Sequence, residues 1–208
     1  MWHRVLNIWN VVRYTVYLPI YDGVAARFEP FRKLSISRMR THSNQKVLLV
    51  GAGTGLDFKH FPKDVELVST DITPMMVSYQ RIRARNLGMN IECRVEDAHD
   101  LSFPDKSFDA VVLHLIFAVV PNPELCMQEA ARVLKPGGQI LVFDKFHSGQ
   151  RPPNLMKKAL GFITNVLFSN INRTVGELVR YSRCELVFET GVWLKGIFRV
   201  VELKKPTR

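Results

Sequence analysis

Four consecutive apolar residues at 47–50 run directly into three glycines at alternate positions, Gly51, Gly53 and Gly55. An uninterrupted apolar run of this length is typical of a strand buried on both faces, as in parallel sheets covered by helices. Closely spaced glycines let the backbone turn tightly and pass near a ligand without Cβ obstruction, just before a helix begins. This feature predicts an α/β fold with a ligand site at the carboxyl end of the first strand.

The alternation of short β-branched runs with helical or loop stretches continues to residue 143. Strands are predicted at 46–50, 66–70, 91–95, 110–115 and 139–143. The clearest helix is predicted at 123–134, because Asn122 suits the N-cap and Pro123 the first helical position. Gly137 and Gly138 then follow the predicted end of this helix.

Two further strands are predicted after the Pro-containing loop at 152–153. They span 185–189 and 197–203, and a Gly-containing connection separates them. This arrangement predicts a hairpin that adds antiparallel strands to the edge of an otherwise parallel sheet.

Composition excludes several protein classes. With 208 residues, 47% hydrophobic and 23% charged, the chain is predicted to be one globular domain rather than disordered or collagen-like. Its three cysteines lie far apart and build neither a disulfide framework nor a CxxC metal site, so a reducing cytoplasmic compartment and no metal are expected. The longest apolar run, 110–120, is too short for a spanning helix of ~20 residues, and no export signal is visible.

The net charge of +10 is unevenly distributed along the chain. Residues 1–45 carry +5 and residues 145–208 carry +8, whereas residues 46–144 carry −3. Basic segments around a slightly acidic centre indicate a site bordered by surfaces that face phosphates, such as an anionic membrane. The alternative is a set of unrelated, solvated lysines and arginines.

Two carboxylates follow later strands at positions that suit a nucleoside. Asp71 closes the second predicted strand, 20 residues after Gly51, where it can accept hydrogen bonds from a ribose diol. Leu56 occupies the position where the dinucleotide pattern GxGxxG needs glycine, which favours a nucleoside over a pyrophosphate. Asp97 follows the third strand and can accept from an exocyclic adenine amine, or it is a solvated loop residue.

Four ordered motifs resemble those of class I S-adenosylmethionine-dependent methyltransferases. They are VGAGTG at 50–55, STDITPMM at 69–76, VEDAHDLSFPDKSFDAVV at 95–112 and EAARVLKPGGQILVFDKF at 129–146. The likeness is to the group that holds the quinone-biosynthesis methyltransferases and the small bacterial phosphatidylethanolamine N-methyltransferases. It implies a Rossmann-like doubly wound sheet, with helices on both faces and S-adenosylmethionine as the cofactor.

The resemblance also implies roles for particular residues. The methionine and ribose part of the cofactor would lie against Gly51, Ala52, Gly53 and Gly55. Asp71 would hold the ribose hydroxyls. The adenine would be bordered by Ile72 and Met76 and contacted at its edge by Asp97 and Ala98.

Three residues are candidates for the methyl-transfer step. His114 ends the fourth predicted strand, where it can border the cofactor methionine, take a proton, or simply pack. Tyr21 and Asp22 resemble a Tyr-Asp element of this group in which the tyrosine lies over the cofactor site; alternatively, Tyr21 anchors an N-terminal helix. His147 follows the fifth strand at the end that faces the cleft.

Two segments have the pattern of amphipathic helices. In residues 2–17 one stripe holds Trp2, Val5, Leu6, Trp9, Val12 and Val16. With Arg4 and Arg13 this stripe predicts an interfacial helix on anionic lipid, or alternatively a lid over the cleft. A second stripe within 154–168 is more typical of a core helix.

The leading hypothesis is an enzyme that is peripherally associated with the membrane and acts on an amphipathic, lipid-like substrate. The reaction would be N-methylation of a phosphatidylethanolamine-type headgroup. Residues 1–45 would form a lid or membrane-facing segment, 46–146 the cofactor-binding core, and 147–208 a substrate-side insertion and the hairpin. C-methylation of a quinone precursor is the enzymatic rival, and it needs a base such as His114 or His147.

Two other functions compete with these. An RNA methyltransferase would explain the basic charge, but no RNA-binding module is visible, so no nucleic-acid partner is expected. A non-catalytic binding module is disfavoured by the intact glycine motif, Asp71 and Asp97. The sequence leaves the oligomeric state open.

Overall fold

The computed structural model describes residues 23, 26–40, 44–146 and 173–207. In chain order its main elements are α1 (Glu29–Ser37), β1 (Lys46–Val50), β2 (Glu66–Asp71), α2 (Pro74–Asn86), β3 (Ile91–Val95), β4 (Phe108–His114), α3 (Pro123–Val133), β5 (Leu134–Lys145), α4 (Val175–Ser182), β6 (Glu185–Trp193) and β7 (Phe198–Lys204). Among these described helices, none is long and apolar enough to cross a bilayer. Tyr21, His147 and the two predicted amphipathic helices lie outside the described residues.

The described strands form one seven-stranded sheet in the order β3-β2-β1-β4-β5-β7-β6. Strands β1 to β5 are parallel to one another, and β7 lies antiparallel between β5 and β6. The predicted fold class, a mostly parallel Rossmann-like sheet with an antiparallel C-terminal hairpin, is confirmed. The chain changes direction across the sheet at β1, which lies between β2 and β4. In open α/β sheets such a switch point is where ligands bind.

Alternating side chains of the central strands pack into two hydrophobic layers. Leu48 faces a layer that α3 closes through Met127 and to which α4 also contributes. Leu49 faces the opposite layer, which α1 and α2 close through Ile36 and Ala84. Both faces of the sheet are therefore covered at its centre, which explains the uninterrupted apolar run at 47–50 in β1.

The boundaries of the strands differ in part from those predicted. β1 and β3 begin and end at the predicted residues. Helix α3 ends at Val133, one residue before its predicted end. β5 begins at Leu134, because this residue pairs with Phe108 ahead of a shift in register. Gly138 lies inside β5, where a Cβ atom would be 2.8 Å from the backbone oxygen of Asp109. Glycine at this position therefore allows two backbone segments to lie close together, and it does not form a turn.

An aromatic cluster joins the residues before α1 to the C-terminal hairpin. The ring centroid of Phe28 lies 5.9 Å from that of Phe143, 5.1 Å from that of Phe198 and 5.3 Å from that of Trp193. Contacts at these distances stabilise beyond the area that they bury. The cluster holds α1 against β5 and β7, close to the carboxyl end of β4.

Candidate active site

A cleft opens at the carboxyl ends of β1, β2 and β4, at the switch point of the sheet. Its empty space, counted together with the open mouth, is about 680 Å³. Eight residues predicted for the site line it, namely Gly51, Gly53, Asp71, Ile72, Met76, Asp97, Ala98 and His114. Ala52 and Gly55 are not among the lining residues.

The glycine-rich turn after β1 has backbone angles that favour glycine. Gly51, Gly53 and Gly55 have φ values of 66°, 56° and 81°. A Cβ on Gly51 would stand 2.5 Å from the side chain of Ile116, and one on Gly55 would stand 2.6 Å from the ring of Phe58. A Cβ would thus meet a side chain of the protein at both positions, and Gly51 also borders the cleft.

Asp71 is held at the end of β2 by the glycine turn. Its Oδ2 accepts a hydrogen bond from the backbone N–H of Gly53 at 2.9 Å, and its Oδ1 accepts one from Thr73 at 2.9 Å. Burial raises the pKa of Asp71, and these two hydrogen bonds oppose that rise only in part. Each carboxylate oxygen can accept a further hydrogen bond, so the oriented group fits a diol in the cleft.

Gln80 on α2 holds the glycine turn from its other side. Its Nε2 donates a hydrogen bond to the carbonyl oxygen of Gly53 at 2.9 Å, and the side chain is fully buried. Gly53 is therefore anchored through both its N–H and its carbonyl. Sequence reasoning missed Gln80, although a polar residue on the otherwise apolar inner face of a helix is a usable signal.

Asp97 is paired with a histidine that sequence reasoning also missed. The Oδ1 atom of Asp97 accepts from the backbone N–H of His99 at 3.0 Å and lies 2.6 Å from its ring Nδ1. The backbone N–H of Asn122 donates to Nε2 of the same ring at 3.2 Å. Since Nε2 accepts, Nδ1 carries the proton and donates it to Asp97. The third-strand carboxylate is thereby tied to the N-cap of α3.

His114 belongs to a buried polar network behind the cleft. Its Nδ1 lies 3.1 Å from Oδ1 of Asp57, and its Nε2 lies 2.9 Å from Oγ of Ser35. Arg32 on α1 donates to the other oxygen of Asp57 at 2.8 Å. The histidine side chain is 1% exposed. Both ring nitrogens are thus engaged within the protein.

The charge state of this network is set by Asp57. Burial alone would raise the pKa of Asp57, but Arg32 and His114 outweigh that effect and hold it well below its usual range. The carboxylate therefore stays ionised and pairs with the guanidinium of Arg32. Sequence reasoning assigned no role to Asp57, Arg32 or Ser35.

Asp144, near the end of β5, fixes the segment that follows β4. Its Oδ2 accepts from the backbone N–H of Phe117 at 2.7 Å, and its Oδ1 accepts from that of Lys145 at 2.7 Å. The side chain is fully buried, and burial raises its pKa. Residues 115–120, which supply one wall of the cleft, are thereby held in place.

Comparison with known proteins identifies the family. A family model described as a methyltransferase domain matches residues 48–142. The chain is 32% identical over 183 residues to a phosphatidylethanolamine N-methyltransferase of Cereibacter sphaeroides, covering 84% of this chain and 90% of that protein. The chain belongs to the S-adenosylmethionine-dependent methyltransferases. Its cofactor is S-adenosylmethionine.

A second relative of this methyltransferase carries a different name. A demethylmenaquinone methyltransferase of Tropheryma whipplei is 36% identical over 118 residues, covering 56% of this chain. The chain spans about half of that relative, 48% of its length.

Solved structures agree on the fold of the methyltransferase. An S-adenosylmethionine-dependent methyltransferase of Methanosarcina mazei superimposes with a TM-score of 0.66 at 23% identity. The match covers 81% of this chain and 95% of that structure. At this level of identity the likeness concerns the fold alone.

Proposed function

We propose that this methyltransferase transfers methyl groups to the amine of phosphatidylethanolamine-type headgroups at a membrane surface. The relative named for this reaction aligns over 90% of its length. The quinone-related protein of Tropheryma whipplei aligns over 48% of its length, although its identity is slightly higher. The alignment with the phospholipid enzyme therefore includes segments outside the shared core, and those segments are where substrate preference is expected to lie.

The residues that line the cleft are suited to hold the cofactor. In this proposal Gly51 and Gly53 admit its methionine and ribose part, because no Cβ obstructs the turn. The carboxylate of Asp71 accepts from the ribose hydroxyls. Adenine is bordered by Ile72 and Met76, and its exocyclic amine donates to Asp97 beside Ala98. When bound, S-adenosylmethionine supplies an electrophilic sulfonium methyl group that an acceptor takes by in-line displacement.

The single observation that carries the choice of acceptor is the engagement of His114. An amine becomes nucleophilic once it loses a proton to water, whereas an aromatic carbon must shed a proton and benefits from a positioned base. The two histidines that line the described part of the cleft, His114 and His99, both use their ring nitrogens within the protein. An acceptor that needs no imidazole base fits this arrangement best.

Methyl transfer from labelled cofactor to vesicles tests the proposal. The vesicles contain phosphatidylethanolamine and a demethylated quinone together, and the labelled product is identified after separation. We expect label in methylated ethanolamine lipid and a rate that climbs with pH as the headgroup amine loses its proton. Label confined to the quinone, with a pH profile that follows an imidazole, would overturn the proposal and establish quinone C-methylation.

A further inference from the structure

The outer face of α2 carries a line of exposed apolar side chains. Met75, Tyr79 and Ile82 are 46%, 41% and 46% exposed. Their spacing of four and three residues places them one above another along the helix. The buried residues of α2, among them Val77 and Ala84, lie on the opposite side. We call Met75, Tyr79 and Ile82 the outer line.

Packing within the described part of the protein does not account for the outer line. One apolar face is enough to seat a surface helix on its sheet, and α2 already has that face. Single exposed apolar residues are common, but three in register on one helix form a continuous patch. Such patches mark surfaces that meet another apolar phase or partner.

The charged residues of α2 itself are all positive. Arg81 and Arg85 project on one side of it and Arg83 on the other, from 100° of rotation per residue. The helix contains no acidic residue. An apolar line bordered by arginines is the pattern of helices that lie in the boundary of an anionic bilayer. There a long side chain such as that of Arg85 can reach the lipid phosphates, whereas Arg81 already donates to the carbonyl oxygen of Cys93 at 3.1 Å.

We propose that the outer line of α2 is a docking surface for an anionic lipid bilayer. This inference rests on the proposed function, since it supplies the route by which a lipid substrate meets the cleft. The residues just before and within the first turn of α2, Ile72, Thr73 and Met76, line the cleft, and Met75 is adjacent to them on the outer side. Docking through α2 therefore places one rim of the cleft at the bilayer.

Charge complementarity favours a bilayer over a second copy of the chain. A symmetric contact between two copies through α2 would bring the arginines of both helices together. Like charges in such a contact oppose association, whereas anionic headgroups neutralise the same arginines.

Vesicle co-sedimentation of the full chain tests this docking surface without any methyl transfer. The vesicles consist of phosphatidylcholine alone or of phosphatidylcholine mixed with phosphatidylglycerol. The variant Tyr79→Ser/Ile82→Ser is expected to bind the anionic vesicles about tenfold more weakly, because it removes apolar area from the contact. Leu186→Ser/Val187→Ser is the matched control on β6, where the two residues are 46% and 42% exposed. It is expected to bind like the unmodified chain.

The arginines give the test a second readout. Arg85→Gln should weaken binding to the anionic vesicles only, and it should reduce the dependence of that binding on salt. Cofactor affinity measured by calorimetry should be the same in all these variants, which shows that each remains folded.

Two results would overturn the inference. One is a result in which the α2 variant and the β6 control lose vesicle binding to the same extent, or in which neither loses any. The other is a dimer of the unmodified chain that Tyr79→Ser/Ile82→Ser dissociates in sedimentation, which would assign the surface to a second copy. Retained vesicle binding without methylation of ethanolamine lipid would instead contradict the proposed function and leave the docking surface standing.

Discussion

Asp71 shows how one carboxylate serves both the glycine turn and the cleft. Asp71→Asn keeps the size of the side chain but leaves one of the two backbone donors, Gly53 or Thr73, facing an amide N–H₂. We expect S-adenosylmethionine to bind roughly 1–3 kcal/mol more weakly, the scale of unpaired hydrogen-bonding groups. Isothermal calorimetry measures this, with Asp64→Asn in an exposed loop as the control. Equal affinity in a folded Asp71→Asn protein would remove Asp71 from the cofactor site.

At the scale of elements, the Arg32–Asp57 ion pair fastens α1 to the segment after β1. Both side chains are buried, at 5% and 1% exposure. Removing one partner leaves an uncompensated buried charge, so Arg32→Ala is expected to lower the free energy of unfolding by about 3–5 kcal/mol. Lys59→Ala, which breaks a solvent-exposed pair with Glu29, should cost a small fraction of that. Denaturant unfolding compares the two, and similar losses would contradict the importance assigned to the buried pair.

At the scale of the whole molecule, Asp57 should steepen the loss of stability in acid. Its pKa in the folded protein lies below its unfolded value, so its contribution is complete above about pH 4 and declines as the pH falls further. Burial raises the pKa of Asp71 and Asp144, so these groups contribute in the opposite direction. The difference in unfolding free energy between the unmodified chain and Asp57→Asn should therefore shrink below about pH 4. Denaturant unfolding curves recorded from neutral pH to below about pH 4 test this prediction. A difference in unfolding free energy that stays constant with pH would contradict it.

Much of the fold was predictable because its signals are local. β1 and β3 were predicted to the residue, since each is a short β-branched run between turn formers. β5 was predicted too short, because its first pair with Phe108 depends on a strand that lies elsewhere in the sequence. The antiparallel hairpin at an edge of the sheet was predicted and is confirmed, whereas its pairing with β5 was found only in the structure.

The sequence by itself determined the α/β class and the cleft position of Asp71, because glycine spacing and strand-end residues are short-range patterns. The cofactor followed from the resemblance of four ordered motifs to a known family. Only the tertiary structure decided what surrounds His114. Its partners Asp57 and Ser35 stand 57 and 79 residues away in the chain, and no local pattern connects residues so far apart. The same holds for the outer line of α2. From helical spacing alone, either of the two apolar faces of α2 could be the buried one. Packing against the sheet determines that the face with Val77 and Ala84 is buried.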